Sequence, residues 1–162
     1  MIQDHLNIPF ERYSFEELSA TDRELILQAK EATQRSYAPY SHFYVGAAAR
    51  LADGQIVSGS NQENAAFPSG LCAERTCLFY ANSRYPEQAV TELAIAARTA
   101  NGFISQPISP CGACRQVILE TEKRYGQPLR ILLYGEKETY VLRGISRLLP
   151  FSFDGSDMEN VP

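Results

Sequence analysis

Cys111 and Cys114 share the run Pro110-Cys111-Gly112-Ala113-Cys114, and an earlier cysteine opens the triplet Cys72-Ala73-Glu74. Proline favours the start of a helix, so the spacing predicts a helix over Cys111–Lys123 beginning right after Pro110. Both sulfurs of the C-x-x-C pair then fall at one helix N-terminus. Unpaired backbone N–H groups and the helix dipole there favour thiolate, the form that binds metal. The spacing alone is shared by redox dithiols and zinc ribbons. The earlier triplet narrows the choice, because it sets a thiol and a carboxylate two residues apart at the start of another predicted helix, Cys72–Ser83. Such a pair can face one small volume without both groups ligating the same ion. A fold that uses the pattern brings two helix starts to one place.

Around these helices the chain alternates strand and helix signals. Thr21-Asp22-Arg23-Glu24 has the T-x-x-E form of a capping box, and Leu25, Ile26, Ala29 and Ala32 give the following helix, Asp22 to Ser36, one apolar side. Tyr44–Leu51 and Gln55–Ser60 read as a hairpin joined through Asp53-Gly54. Leu93–Arg98, Leu129–Tyr134 and Thr139–Leu142 read as further strands, and Ile145–Leu149 as a short helix. Asn61–Gly70 and Asn101–Ser109 read as loops. This alternation predicts an α/β fold, a mixed sheet with helices on both faces in a three-layer α/β/α sandwich. Residues 1–20 read as an N-terminal extension with a short edge strand near Leu6–Tyr13, and residues 21–162 as one domain.

Composition removes other classes. The 162 residues are 44% hydrophobic and 21% charged, ordinary values for a globular chain of one domain. Net charge is −4, and no Lys/Arg-rich run tracks a phosphate backbone, so a polynucleotide partner is not expected. No apolar stretch approaches the roughly 18 residues of a membrane span. The start MIQDHLNIPFERY lacks a basic flank followed by an apolar run, so a cytoplasmic protein with unpaired or metal-bound thiols is expected.

The combination of Cys-x-Glu with a later Pro-Cys-x-x-Cys is the pattern of zinc deaminases, with cysteine in place of histidine. The chain resembles the small, zinc-dependent, three-cysteine cytidine deaminases from Tyr37 to about Phe153. The resemblance rests on Tyr37-Ala38-Pro39-Tyr40-Ser41, Val45-Gly46-Ala47-Ala48, Asn61-x-Glu63-Asn64-Ala65, Cys72-Ala73-Glu74-Arg75-Thr76, Pro110-Cys111-Gly112-Ala113-Cys114-Arg115-Gln116 and Leu148-Leu149-Pro150. It implies a Zn2+ ion held by Cys72, Cys111 and Cys114, with Glu74 moving protons during hydrolytic deamination of cytidine and 2′-deoxycytidine in pyrimidine salvage. Arg75 is implied as a donor to the thiolates. A catalytic zinc keeps three protein ligands and leaves its fourth position for a water that ionises near neutral pH.

The same resemblance implies substrate contacts from Phe43, packing on the pyrimidine, from Ala73, and from Asn61 and Glu63, gripping a sugar hydroxyl. As an isolated N-x-E in a loop, Asn61 and Glu63 would read as turn caps. Phe153 matches an aromatic that reaches a neighbouring subunit's base in a homotetramer with shared active sites, and Phe151 competes for that role. Phe67 stands where the family commonly carries tyrosine, so a hydroxyl is missing there, and Tyr44 stands where many members carry proline. Two alternatives remain at this level. A deaminase of a nucleoside-like antibiotic such as blasticidin S would use the same metal motifs. A structural-zinc interaction module would need a fourth ligand, for which Cys77 and His42 are the nearby choices.

Overall fold

Strand β2 (Tyr44–Leu51) carries the small residues Gly46, Ala47, Ala48 and Ala49, and it lets helices approach both faces of the sheet. A Cβ at Gly46 would lie 2.0 Å from the carbonyl oxygen of Ala29 on helix α1 (Ala20–Ala32). One at Gly59 in β3 (Ile56–Ser60) would lie 2.5 Å from the backbone nitrogen of Cys77 on α2 (Ala73–Arg84). Backbone meets backbone at both places, a distance that excludes any side chain. The computed structural model describes residues 1–159, so residues 160–162 of the predicted domain lie outside the described residues.

β2 and β3 form the expected hairpin, with Ala47 opposite Gly59. β4 (Val90–Thr99) pairs antiparallel with β2 and parallel with β6 (Arg130–Tyr134). The parallel pair needs a crossover, and α3 (Gly112–Tyr125) lies within it. β5 (Gly102–Phe103) folds back on β4, β7 (Thr139–Arg143) pairs antiparallel with β6, and β1 (Glu11–Tyr13) lies along β7. The order β1-β7-β6-β4-β2-β3 makes a mixed sheet.

Alternate residues along each strand point to opposite faces. Ala47, Leu93, Ile95, Ile131 and Leu133 pack with Leu78 of α2 and Ile118 of α3. Ala48, Ala94, Ala96 and Leu132 pack with Leu25, Ile26 and Ala29 of α1. Both faces are covered, and the α/β/α sandwich follows. Among the described residues no helix is long and apolar enough to cross a membrane.

Several boundaries differ from those expected. Ser19, not Thr21, caps α1, accepting a 3.1 Å hydrogen bond from the Asp22 nitrogen. The α-helix stops at Ala32 and a tighter turn continues to Arg35. The loop expected at Asn101–Ser109 spends Gly102 and Phe103 on β5, because the tight turn after β4 brings them back into register with Arg98 and Thr99. The edge strand is the three residues Glu11–Tyr13. Ile145–Arg147 is a single 3-10 turn, followed after the tail by α4 (Ser156–Glu159).

Asp22 ties α1 to the sheet. Its carboxylate takes both Arg130 Nη1 and, at 2.9 Å, Arg130 Nη2, and Arg130 also meets Glu92 at 3.2 Å. Burial alone would push the Asp22 carboxyl up, but hydrogen bonds from Arg130 and Ser19 outweigh it and hold it below the ordinary value. Asp22→Ala should therefore cost about 2 kcal/mol in urea unfolding at pH 7, low for a broken buried pair because Arg130 keeps Glu92. A folded pKa below the unfolded value of about 3.9 makes this stabilisation complete at neutral pH. It is lost as pH falls through the folded pKa, so the gap between the two proteins should close in acid.

Candidate active site

Two helix starts meet at one end of the sheet. Cys72 is the N-cap of α2 and Cys111 the N-cap of α3, both in extended conformation, and neither side chain caps its own helix. Both sulfurs are thereby left for another partner. The Cys72 and Cys111 sulfurs lie 3.7 Å apart, and those of Cys111 and Cys114 3.5 Å. Tetrahedral zinc with 2.3 Å bonds to sulfur needs S···S distances of about 3.8 Å, so the three thiols fit that ion.

Their charges point the same way. A hydrogen bond from the Cys114 thiol, with smaller help from Arg75 and Cys111, holds the Cys72 thiol down to about 5. The same contact with Cys72, together with burial, pushes the Cys114 thiol up. Ionisation of Cys72 thus opposes that of Cys114, and a divalent cation is what lets neighbouring sulfurs ionise together. Arg75 Nη2 donates to Cys72 Sγ at 3.8 Å and to the Gly70 carbonyl at 3.3 Å. Among the described residues its Nε is buried without a hydrogen-bond partner, close to the sulfurs, where negative charge would favour it.

Glu74, in the first turn of α2, is 4% exposed, and burial raises its carboxyl pKa, with the charge on Cys72 adding to the shift. It borders a cleft of about 270 Å³ with Cys72, Cys111, Ala73, Phe43, Val45 and Ile108. A larger hollow of about 500 Å³ adjoins it on the Arg75 side and is lined by Tyr40, Phe67 and Leu71. The smaller cleft is the chemically equipped one, because it alone contains the carboxylic acid beside the sulfurs. Ser41, Asn61, Glu63 and Cys72 border both spaces.

The residues expected to contact a substrate divide. Phe43 and Ala73 line the cleft. Asn61 is engaged as a clamp, its Oδ1 accepting from the Val45 nitrogen at 2.8 Å and its Nδ2 donating to the Phe43 carbonyl at 2.9 Å. One N–H and one lone pair are left over. Glu63 accepts from the Tyr40 nitrogen at 2.9 Å, the Ser41 nitrogen at 3.2 Å and the Ser41 hydroxyl, which holds its carboxyl below the ordinary value. Phe153 and Phe151 lie on the exposed tail and do not border the cleft of their own chain. Phe153 is fixed through its carbonyl, which accepts from Gln116 Nε2 at 3.0 Å. Val45 and Ile108 enter the cleft without a sequence signal, since an aliphatic residue at a strand start or in a loop reads as packing.

Neither proposed fourth ligand joins the sulfurs: among the described residues the cluster is Cys72, Cys111 and Cys114. Cys77 is fully buried, its thiol donating to the Val57 carbonyl at 3.5 Å and pushed up to about 12 by burial. An ion held by these three sulfurs would keep a coordination position free, unlike a closed structural site.

A family model for the cytidine and deoxycytidylate deaminase zinc-binding region matches residues 19–125, which contain all three cysteines and Glu74. The chain belongs to that family. It is 37% identical over 140 residues to a cytidine deaminase of Halalkalibacterium halodurans, covering 86% of this chain and 99% of that one. A cytidine deaminase of Sporosarcina psychrophila is 38% identical over 135 residues, covering 83% and 93%. The crystal structure of a cytidine deaminase from Burkholderia pseudomallei matches with TM-score 0.70 and 39% identity, over 80% of this chain and 97% of that one. The mixed-sheet sandwich is thus the fold of the family, and zinc its metal.

Zinc titrated into metal-free protein should bind in a single equivalent per chain, read by elemental analysis after desalting. Cys77→Ser should keep that equivalent and Cys114→Ser should lose it. Arg75→Ala should weaken zinc affinity by about 10–100-fold, as loss of a group supporting metal ligands commonly does.

Proposed function

We propose that the protein hydrolyses the exocyclic amine of cytidine and 2′-deoxycytidine, giving uridine or 2′-deoxyuridine and ammonia. The observation that carries this reading is the buried Glu74 carboxyl opening into the same cleft as the three clustered thiols. Zinc held by Cys72, Cys111 and Cys114 supplies a Lewis acid that makes water nucleophilic near neutral pH.

Glu74 takes a proton from the attacking water and delivers it to N3 of the pyrimidine as C4 becomes tetrahedral. It then carries the second proton to the departing amine, so water and cytidine balance uridine and ammonia. A carboxyl whose pKa is raised by burial suits this work, because it holds a proton from water more readily than an exposed carboxylate and can still pass it on. Phe43, Val45 and Ile108 supply apolar walls for the flat base. The spare N–H and lone pair of Asn61 and the ionised Glu63 suit sugar hydroxyls, while Phe67 offers none.

The described residues leave one side of the cleft open, and Phe153, held beside α3 by Gln116, is 61% exposed. We assign a homotetramer in which Phe153 covers a neighbouring chain's base and excludes water. Four unpaired thiols suit the reducing cytoplasm, where this enzyme would meet free nucleosides.

Incubation with cytidine should produce uridine, followed by the loss of cytosine absorbance; no turnover by zinc-loaded protein would overturn the reading. Glu74→Gln should keep fold and zinc yet lower kcat by about 10²–10⁴-fold, the span of general acid–base contributions. Phe153→Ala should raise KM with zinc content unchanged, and light scattering should give the mass of four chains.

A further inference from the structure

We infer that Tyr44 and Arg98 form a positioning clamp that fixes Phe43 and the Asn61 amide from the face of the sheet opposite the cleft. The inference rests on the proposed nucleoside site for its kinetic consequence, and on geometry alone for its structural one. Phe43 and Val45 line the cleft while Tyr44, between them, does not. Strand alternation turns the Tyr44 side chain to the α1 face.

There Arg98, its cross-strand partner on β4, stands with Cζ 4.5 Å from the Tyr44 ring centroid. The guanidinium is itself held. Its Nε donates to Thr33 Oγ1 at 3.0 Å and its Nη2 to Gln34 Oε1 at 3.3 Å. Thr33 is fully buried and anchored to α1 through the Lys30 carbonyl at 2.7 Å.

On the other side of the same strand, Asn61 grips the carbonyl of Phe43 and the nitrogen of Val45, the two backbone groups flanking Tyr44. The Val45 carbonyl accepts from Ser36 Oγ at 3.0 Å and the Asn61 nitrogen at 3.2 Å. Residues 43–45 are thus held through the backbone by Asn61 and through one ring by Arg98. The ring fixes how far the strand start leans toward the cleft. The Asn61 amide has its orientation set by that strand, so the clamp reaches both the apolar wall and the polar group proposed to meet the sugar.

Three variants test this in the zinc-loaded full chain: Tyr44→Ala, Arg98→Ala and Tyr44→Phe. Amide hydrogen exchange needs no substrate. Tyr44→Ala and Arg98→Ala should speed exchange at Val45 by about three- to thirtyfold, the span of measured cation–π strengths, with Cys77 and Ile95 unchanged. With cytidine, the same two variants should raise KM within that range while kcat moves less than about twofold, because binding is perturbed and Glu74 is not. Tyr44→Phe keeps the ring face and should restore both readouts. Even acceleration across the sheet, an unchanged Val45 rate, or a Tyr44→Phe variant as impaired as Tyr44→Ala would each overturn the clamp. If native protein leaves cytidine untouched, the proposed activity falls, and Val45 exchange still decides the clamp.

Discussion

Three sulfurs within 4.8 Å of one another are the arrangement on which the rest of this protein depends. Thiols so close do not ionise together without a cation, as the opposed shifts of Cys72 and Cys114 display. Two of them sit at helix N-caps, where backbone N–H groups and the helix dipole favour negative charge. To assemble them, α2 and α3 must begin at one end of the sheet and lie side by side across it. The Gly59 contact with Cys77 and the packing of Leu78 and Ile118 on the central strands hold that arrangement.

The same packing sets the chemistry of Glu74. The side chain is on the first turn of α2 and is thereby drawn under the sheet end, where burial favours its neutral form. Buried there, the carboxyl holds a proton more readily than an exposed one would. Burial and metal site are two results of one helix placement. Glu63, half-buried and bonded to three donors, is held below the ordinary carboxyl value along the same cleft. Two carboxyl groups bordering one space are thus given opposite properties by their surroundings.

The second helical layer contributes support rather than reacting groups. Helix α1 is locked by Asp22 to Arg130 at one end and by Thr33 to Arg98 at the other. The second link continues through the Tyr44 ring to the strand start that walls the cleft. A sheet covered on both faces is stiff, and the cleft takes its shape from strand ends that are fixed from behind.

Much of this was legible in the chain itself. Cysteine spacing, a carboxylate two residues after Cys72, and a proline before Cys111 define donor chemistry and helix starts, because those depend on neighbours in sequence. Strand and helix alternation specifies the sandwich for the same reason. Some local signals also misled: two hydroxyls two residues apart compete for one cap and Ser19 takes it, and a tight turn lets Gly102 and Phe103 pair back on β4. The role of Asn61 as a backbone clamp, the cleft positions of Val45 and Ile108, and the stack of Arg98 on Tyr44 came only from tertiary structure. Each joins residues far apart in the chain, and side-chain type alone does not say which of many possible partners a fold will bring within reach.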